Sequence, residues 1–573
     1  MPQVRLPLVG AANAQRSLAA GAQTSINVYG ELTDDPQARQ KGIGALYGCP
    51  GRHALAAVGG DIYALWSNTS RLFAVVSNGA GRDLVEYSST GTQISRHTFT
   101  ALDDGLPAQI TSNGNQLLII SCGLAFYDSG TGPVACTFDN LYATVNTSGS
   151  TITLVSVNGA ISPLSGFASF VGGESITVNS VGYTVAASPA PTATTMNTTA
   201  SLGTQTGVSF VFLGDPVTAL TGAYLDGYGI ISRPRGGSPD LGRQINISGI
   251  LNFEYWSSLD FTSAEAEPSY ITQLWVDNEQ LYAFKDASFQ VYQNNPAAGV
   301  GGFPLANVSG AMAKFGSISR WANVSLAGKV YMLGFPGGPG NAGAGWISAY
   351  VLDGFTPRRI SGKAQEAHWN SAGIGTNAVC YAYSEDGHDF WCINFGAECW
   401  CFDVSTGAWH QRQRWSGTAF IGYNTYFHAF VQFWGTGGYH VTAGGLLDDN
   451  LYISSVNFYD DNGSDLAWQR AIPYEYEGGN LIYYSRMYLE AETGTVPSGA
   501  APDITRDYSD DRGQTFGNAE TASLGAHGAF SVRLIWPMAS FSNSMGRVFR
   551  FSGHGKYKVA LIDLQADVSY GAT

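Results

Sequence analysis

The segment 509–516, SDDRGQTF, has the residue types and the spacing of a tight hairpin turn, the Asp box S-x-D-x-G-x-T-F. We expect the Asp511 carboxylate to accept hydrogen bonds from backbone and hydroxyl groups, and Gly513 to adopt a positive φ. We expect the hairpin to be partly buried, because an aromatic residue anchors it in the core. The residues predicted to hold this structural turn are Ser509, Asp511, Gly513, Thr515 and Phe516.

Asp boxes are common in sialidase propellers, which raises glycan hydrolysis as an alternative function, although there the motif is a turn remote from catalysis. Glycoside hydrolysis needs two carboxylates about 5–10 Å apart. The spacing of the candidate acids marks no pair, and the chain contains no G-x-S-x-G, HExxH or P-loop motif. We therefore predict no catalytic residue and no cofactor. The candidate acids are Asp260, Glu265, Glu267, Glu385 and Asp389.

Two clusters contain possible metal ligands. The first, with spacing C-x11-C-x6-C-x-C, matches no zinc knuckle or ribbon, so buried core thiols are favoured. The second, 459–465 (YDDNGSD), is rich in oxygen ligands but lacks the closing Glu of an EF-hand loop. A solvated turn is favoured there, and calcium binding by Asp460–Asp465 stays open. The first cluster comprises Cys380, Cys392, Cys399, Cys401, His388 and His410.

Composition narrows the class of protein. The 573 residues carry a net charge of −15, so a generally basic surface for nucleic acid is excluded. Charged residues make only 13% of the chain, and aromatic residues also make 13%. Few charges and many aromatic residues disfavour disorder, and the 72 glycines disfavour a helical fold. Seven cysteines form no disulfide framework, so we predict free thiols in a protein made in a reducing compartment. No apolar run is long enough for a transmembrane helix.

Short alternating runs separated by Gly, Asn, Asp and Ser predict a mainly β protein. Residues 378–411 read as a four-stranded antiparallel meander, and similar units are expected at 61–99 and 269–293. Repeated four-stranded sheets indicate an irregular β-propeller. We predict an N-terminal extended segment (1–50), first blades (51–140), an inserted small β-domain (141–214), remaining blades (215–480) and a C-terminal β-sandwich-like unit (481–573) that closes its own core.

Several segments, in this order along the chain, resemble the tail hub or nozzle proteins of short-tailed bacteriophages, also called packaged-DNA stabilisation proteins. The resemblance covers 20–135, 216–420 and 480–570, and leaves 142–213 unmatched. The segments that carry it are Ser25–Tyr29, Leu46–Gly51, Tyr255–Phe261, Ser263–Glu265, Leu281–Phe284, Phe289–Tyr292, Phe315–Ile318, Tyr508–Phe516, Val532–Trp536 and Arg547–Phe549.

The resemblance implies a structural virion protein without enzymatic activity, assembled in the host cytoplasm and located in the phage tail. It implies a homo-hexameric ring that joins the portal and the adaptor (head-to-tail connector) protein to a tail fibre, tailspike or needle. It further implies that the lumen retains the packaged genome and conducts it on ejection, without sequence-specific DNA binding. The alternative is a β-propeller glycan-binding or glycoside hydrolase component of a tail.

Overall fold

The computed structural model describes residues 2–32, 44–68, 70–236, 239–295, 302–337, 346–371, 378–433, 437–444, 448–542 and 545–571. Within these residues the regular structure is strand, apart from one α-helix, Lys363–Ser371, and one short 3-10 helix, Leu18–Ala20. The mainly β class predicted from the sequence is confirmed. The chain divides into two compact units, the first comprising Met1–Phe73, Glu86–Ile94 and Ser317–Thr573, and the second Ala74–Val85 and Ser95–Gly316.

Seven four-stranded meanders recur along the described chain, the repeating unit expected for propeller blades. The first four are Ile62–Ser67, Arg71–Ser77, Arg82–Ser88, Gln93–Thr100; Gln109–Ser112, Leu117–Ser121, Leu124–Asp128, Val134–Ala135; Thr221–Leu225, Tyr228–Ser232, Gln244–Gly249, Asn252–Ser263; and Ile271–Asp277, Gln280–Lys285, Phe289–Asn294, Leu305–Ala313. The next two are Asn323–Leu326, Lys329–Pro336, Ser348–Asp353, Thr356–Arg359, with Phe315–Ser317 added at an edge; and Val379–Glu385, His388–Asn394, Cys399–Asp403, Ala408–Trp415.

The seventh meander combines strands from distant parts of the chain. Three strands, Thr425–Phe433, Gly437–Gly444 and Asn450–Ser455, follow one another in sequence. The fourth is Gly51–Ala57, which pairs antiparallel with Asn450–Ser455 so that Arg52 lies opposite Ser454. An early strand therefore completes the last meander, and this pairing fastens two segments about 400 residues apart within the first unit.

The predicted inserted β-domain is a six-stranded sheet with its own core. Its strands, in spatial order, are Val181–Thr184, Ser175–Val178, Gln205–Phe212, Leu141–Ser148, Thr151–Val157 and Thr195–Asn197. The core packs Phe167, Phe170 and Phe210 against Leu141 and Ile176. A dedicated core explains how a segment almost without charge can fold.

The C-terminal part shares its sheet and its core with the N-terminus, so the expectation that residues 481–573 close their own core is wrong. Leu6, Leu8, Val28 and Leu46 are buried in the same apolar cluster as the C-terminal strands. A short strand cannot bury an apolar face alone, so the N-terminal strands gain stability by pairing here. The sheet contains Gln3–Arg5, Val28–Leu32, Gly44–Gly48, Ala560–Gly571, Leu481–Ala491 and Leu534–Phe541. The domain boundaries predicted from the sequence stay a prediction.

Strand Leu481–Ala491 shows how the sequence specifies this core. Ile482 and Tyr484 are buried at even positions, whereas Met487 and Leu489 are buried at odd positions. The register shifts between Tyr484 and Arg486 against both neighbouring strands. A β-bulge adds one residue and moves the buried positions by one, so a single strand keeps both halves of its pattern on the core.

The remaining strands extend the 379–415 and 425–455 meanders into one larger sheet. Ser464–Ala471 is central to this extension, because it pairs with Ala22–Ile26 on one side and with Val548–Gly555 on the other. The other members are Asn13–Ala14, Phe420–Gly422, Asp460–Asp461, Asp503–Ser509 and Gly517–Ser523. No helix among the described residues is long and apolar enough to cross a membrane.

Candidate functional site

The Asp-box residues lie in the turn between Asp503–Ser509 and Gly517–Ser523. Ser509 Oγ donates to Asp511 Oδ1 over 2.6 Å and accepts from the Gly513 N–H over 2.7 Å. The N–H of Thr515 donates to Asp511 Oδ1 over 2.8 Å, and its hydroxyl donates to Oδ2 over 2.5 Å. Gly513 has φ +82°. The carboxylate thus closes the turn through local hydrogen bonds.

The exposure of Asp511 differs from the expectation of a partly buried hairpin, because its side chain faces solvent. Hydrogen bonds from Ser509 and then Thr515 lower the pKa of Asp511 to about 2. The aromatic residue of the box, Phe516, packs beside Ala22, Ala471 and Val548. The turn is therefore anchored by the ring of Phe516, while the carboxylate organises an exposed loop.

Three arginines beside the turn are each paired with a carboxylate. Arg547, 1% exposed, donates from Nε to Asp510 Oδ1 and from Nη2 to Asp510 Oδ2, both over 2.7 Å. Arg550 pairs with Asp507, and Arg506 pairs with Glu520. Sialidase-type chemistry would need guanidinium groups facing a substrate. Here the carboxylates of the protein occupy them, which supports a structural role.

Glu385 and Asp389, the two candidate acids of the first unit, do not converge as a catalytic pair. Glu385 and Asp389 share a hairpin, where Glu385 lies opposite His388 and Asp389 opposite Ser384. Adjacent rungs point to opposite faces of a sheet, so these two carboxylates diverge. In the second unit, Lys285 Nζ donates to the carbonyl oxygen of Glu267 over 2.7 Å. Burial raises the pKa of Asp260, and the charge of Asp139 adds to that rise.

The predicted cysteine cluster is partly formed. Cys392 and Cys401 lie directly opposite each other, with Sγ atoms 2.6 Å apart, and Cys399 shares their face of the sheet. Cys49 joins this cluster, whereas Cys380 sits on the opposite face, opposite Ile393. All seven cysteines are free, as predicted. Among the described residues no group of His, Cys, Asp or Glu could hold a metal ion.

The acidic run at 460–465 forms a hairpin whose carboxylates point to different basic partners. Asp461 pairs with Arg52 over 2.5 Å, Asp460 with His53 over 2.5 Å, and Asp465 with His554 over 3.0 Å. Calcium sites need several oxygens that converge on one point. Pairing with separate bases instead explains the run as a structural turn.

Sequence reasoning did not identify a cavity of about 300 Å³ in the first unit. Its walls include Tyr29, Cys49 and the buried guanidinium of Arg412. Alternation along Ala408–Trp415 places Arg412 on the same face as His410, which is the one signal that marks this arginine as buried. The partner walls come from strands far away in sequence, so no local pattern could indicate a cavity.

Two family models match the chain. Residues 140–440 match the model described as bacteriophage P22 Gp10, beta-propeller, and residues 467–569 match the model described as bacteriophage P22 Gp10, beta-sandwich. The first match includes the insertion at 142–213, which the resemblance in the sequence had left unmatched. The N-terminal segments of that resemblance lie outside both matches. No curated protein sequence matches the chain.

Solved structures with some similarity are remote. An exo-beta-1,3-galactanase from Phanerochaete chrysosporium is 9% identical, with TM-score 0.26, over 86% of this chain and 99% of that one. The WD40 domain of Toxoplasma gondii coronin is 10% identical, with TM-score 0.31, over 79% and 88%. PorZ of Porphyromonas gingivalis is 13% identical, with TM-score 0.28, over 76% and 44%. Similarity at this level carries no argument about activity.

Proposed function

Because this chain belongs to the bacteriophage P22 Gp10 family of phage tail structural proteins, components of the virion, we propose that its copies form the distal hub, or nozzle, of a short tail. Six copies make a ring that joins the portal and adaptor stack to a fibre, tailspike or needle. The ring retains the packaged DNA and conducts it during ejection. The observation that carries this proposal is the pair of family matches, propeller followed by sandwich, over most of the chain.

The charge of the chain supports a conduit for DNA. Each copy carries −15, so a ring of six carries a formal charge of −90, six times that value. An acidic surface repels phosphate, and this lets DNA slide instead of adhering. The low content of charged residues leaves uncharged surface for contacts between neighbouring copies, each of which presents two different faces in a cyclic ring.

The fold of the first unit supports a role in resisting mechanical force. Gln3–Arg5 pairs with Ala560–Gly571, so both chain ends belong to one sheet. Gly51–Ala57 pairs with Asn450–Ser455 and so completes the last meander. In the same sheet as that meander, Ser464–Ala471 pairs with Val548–Gly555. Separating these elements requires many backbone hydrogen bonds to break together. A protein that holds a packed genome benefits from such pairing of distant segments.

We propose that the protein acts without catalysis. The arginines beside the Asp box are paired with acids, and the carboxylates of Glu385 and Asp389 diverge. The Asp-box residues Ser509, Asp511, Gly513, Thr515 and Phe516 are assigned a structural role in this proposal. Their local hydrogen bonds support that assignment.

DNA retention is tested with particles that carry portal and adaptor but lack this protein. Adding the purified full-length chain should reduce the DNA that nuclease can digest, and omitting it should leave the genome accessible. The Arg533→Met variant, which changes an exposed arginine of the sandwich, serves as a control and should protect equally well. Equal digestion with and without the wild-type protein would contradict the retention role.

A further inference from the structure

The cavity of about 300 Å³ in the first unit is lined by residues from distant parts of the chain. Tyr29 and Tyr47 come from the N-terminal strands, Arg412 from the strand Ala408–Trp415, and Phe458 and Trp468 from the hairpin region that follows. The volume is at the lower end of the range for small-molecule sites, about 300–1,000 Å³. Six of the eighteen lining residues are aromatic, so the body of a bound molecule could contact ring surfaces.

Arg412 is the unusual residue of this cavity. Its side chain is 4% exposed, and its two acceptors are the carbonyl oxygen of Pro50 at 2.8 Å and the hydroxyl of Tyr423 at 2.9 Å, both reached from Nη2. Its Nε has no hydrogen-bond partner among the described residues. No carboxylate of the described residues forms an ion pair with it. A buried cation without a counter-charge is strongly unfavourable.

Other buried arginines of this molecule show how a buried guanidinium finds partners. Arg82 pairs with Asp103 and Asp104, and Arg52, Arg506 and Arg547 each pair with a carboxylate. Arg470 has no carboxylate partner, but it donates to three backbone carbonyl oxygens, those of Leu8, Ala11 and Thr24. Arg412 has neither an anion nor a full set of acceptors, and it lines a cavity.

The thiols nearby and the carboxylate of Glu385 are the internal alternatives for a counter-charge. The charge of Arg412 acts on Glu385, but no ion pair joins the two side chains. Burial raises the pKa of Cys49 to about 11, so this thiol stays neutral. Burial also acts on Cys399, but hydrogen bonds from Cys392 and Cys401 and the charge of Arg412 lower its pKa. The structure records no hydrogen bond from the guanidinium to any of these sulfur atoms, however. A thiolate at Cys399 would therefore not replace an anion in contact with Arg412.

Tyr29 supplies a second donor at the same cavity. Its side chain is 7% exposed, and its hydroxyl donates no hydrogen bond within the described part of the chain. The acidic side chains Glu31 and Asp386 also line the cavity and repel polyanions, so entry favours a small ligand of low charge over a nucleic-acid backbone. Lys558, also in the lining, is already paired with Glu492 over 2.7 Å.

We propose that this cavity binds a small organic oxyanion, a carboxylate or a phosphate monoester, whose charged group accepts hydrogen bonds from Arg412 and Tyr29. The body of the ligand packs against Tyr47, Phe458 and Trp468. The anion neutralises the buried guanidinium, so binding stabilises the first unit. This site is separate from any role of the tail in handling DNA.

The test uses the purified full-length protein, two anionic probes with an aromatic body and one neutral probe of similar shape. Benzoate and phenyl phosphate provide the anion on an aromatic body, and benzamide is the neutral match to benzoate. Because a ligand stabilises the state that it binds, the melting temperature should rise with benzoate or phenyl phosphate up to about 10 mM and stay constant with benzamide. Equal shifts for benzoate and benzamide, or no shift with either anion, would overturn the proposal.

Variants assign the effect to the site. Tyr29→Phe removes one hydroxyl and should weaken the apparent affinity for benzoate about five-fold. The matched control is Tyr383→Phe, in the same aromatic cluster but outside the cavity lining, and it should leave the affinity unchanged. Arg412→Met should abolish the response; if this variant does not fold, the two tyrosine variants decide. Equal affinity of the two tyrosine variants for benzoate would contradict the proposal. A rise in melting temperature seen with Cys399→Ser and not with the wild type would also contradict it, because a thiolate at Cys399 would then be the counter-charge of Arg412.

Discussion

Arg547 and Asp510 form a two-pronged ion pair in which Nε and Nη2 each lie 2.7 Å from a different carboxylate oxygen. The guanidinium also lies 3.7 Å from the ring centroid of Tyr508 and donates to the hydroxyl of Ser540 and the carbonyl oxygen of Phe541. Arg547 therefore ties the Asp-box strand to the strand Leu534–Phe541. One buried side chain connects the turn to the sandwich core.

Replacing Arg547 should destabilise the first unit. Arg547→Met removes the ion pair and the bonds to Ser540 and Phe541, but leaves Asp510 partly open to water, so we expect a loss of about 2 kcal/mol in the free energy of unfolding. The matched control, Arg533→Met on an exposed position, should change it by less than about 0.5 kcal/mol. Urea unfolding followed by tryptophan fluorescence measures both. Equal losses for the two variants would contradict the role given to Arg547.

The turn at Gly513 can be tested against a second glycine of the same φ. Gly513 and Gly528 both have φ +82°, but an added Cβ would lie 2.5 Å from Ala22 Cβ at Gly513 and would meet nothing within 4 Å at Gly528. Each Gly→Ala change pays for the left-handed backbone, about 1 kcal/mol, and only Gly513→Ala adds a steric clash. Gly513→Ala should therefore melt at a lower temperature than Gly528→Ala.

Asp511→Ala removes the carboxylate of the same turn and can be compared with the two glycine variants. Because the carboxylate is exposed, its loss should lower the melting temperature less than Gly513→Ala does. If Asp511→Ala instead abolished a glycan-processing or ion-binding activity and left stability unchanged, the structural assignment of the Asp box would be wrong.

The contribution of the N-terminus to the C-terminal core is tested by Leu8→Ala. Leu8 is 4% exposed within that core, and truncating a buried leucine costs about 2–5 kcal/mol. We expect a loss within this range in chemical unfolding. Leu259→Ala, at a position 83% exposed, is the control and should be close to neutral. A neutral Leu8→Ala would mean that the C-terminal strands close their core alone.

His388 predicts a pH-dependent contribution to stability. The hydrogen bond with Asp403, over 2.9 Å, raises the pKa of His388 against the effect of burial, and Glu31 lies 3.7 Å away. The protonated form is favoured in the folded state, so this contribution is fully present below the unfolded pKa of about 6.5 and is lost as pH rises through the folded pKa. The stability difference between wild type and His388→Gln should shrink as pH rises above about 6.5.

His410 provides the control for that experiment. Burial lowers the pKa of His410 to about 3, so this imidazole stays neutral from about pH 5 to 8. The unfolded chain protonates this imidazole below a pKa of about 6.5, so the stability difference between wild type and His410→Gln should be constant only above about pH 7. Below about pH 6.5 the wild type should lose stability relative to His410→Gln, because only its unfolded state takes up the proton. A constant difference for His388→Gln as well would show that the His388–Asp403 pair does not hold a proton in the folded protein.

Local patterns predicted the fold where partners are neighbours in sequence. The meander at 378–411 was predictable because each strand pairs with the next, and the structure has it as Val379–Glu385 to Ala408–Trp415. The meander predicted at 269–293 continues to Ala313, since its fourth strand, Leu305–Ala313, follows a longer connection. Helix Lys363–Ser371 was not predicted, because its nine residues show no clear apolar stripe.

Distant pairings escaped prediction for a physical reason. Nothing in the residues of Gly51–Ala57 specifies Asn450–Ser455 as the partner strand. The polar strands Asp503–Ser509 and Gly517–Ser523 were missed because sheet pairing, instead of apolar alternation, holds them. The Asp box could be predicted from the sequence because its hydrogen bonds join residues that are close together in the chain. The cavity at Arg412 could not be predicted, because its walls meet only in the folded unit.

The most direct test of the tail-hub proposal is negative-stain electron microscopy of adaptor-bearing particles mixed with the purified full-length chain. We predict rings of six-fold symmetry at the tail end of the particles. A protein that stays monomeric and never binds such particles would contradict the proposal.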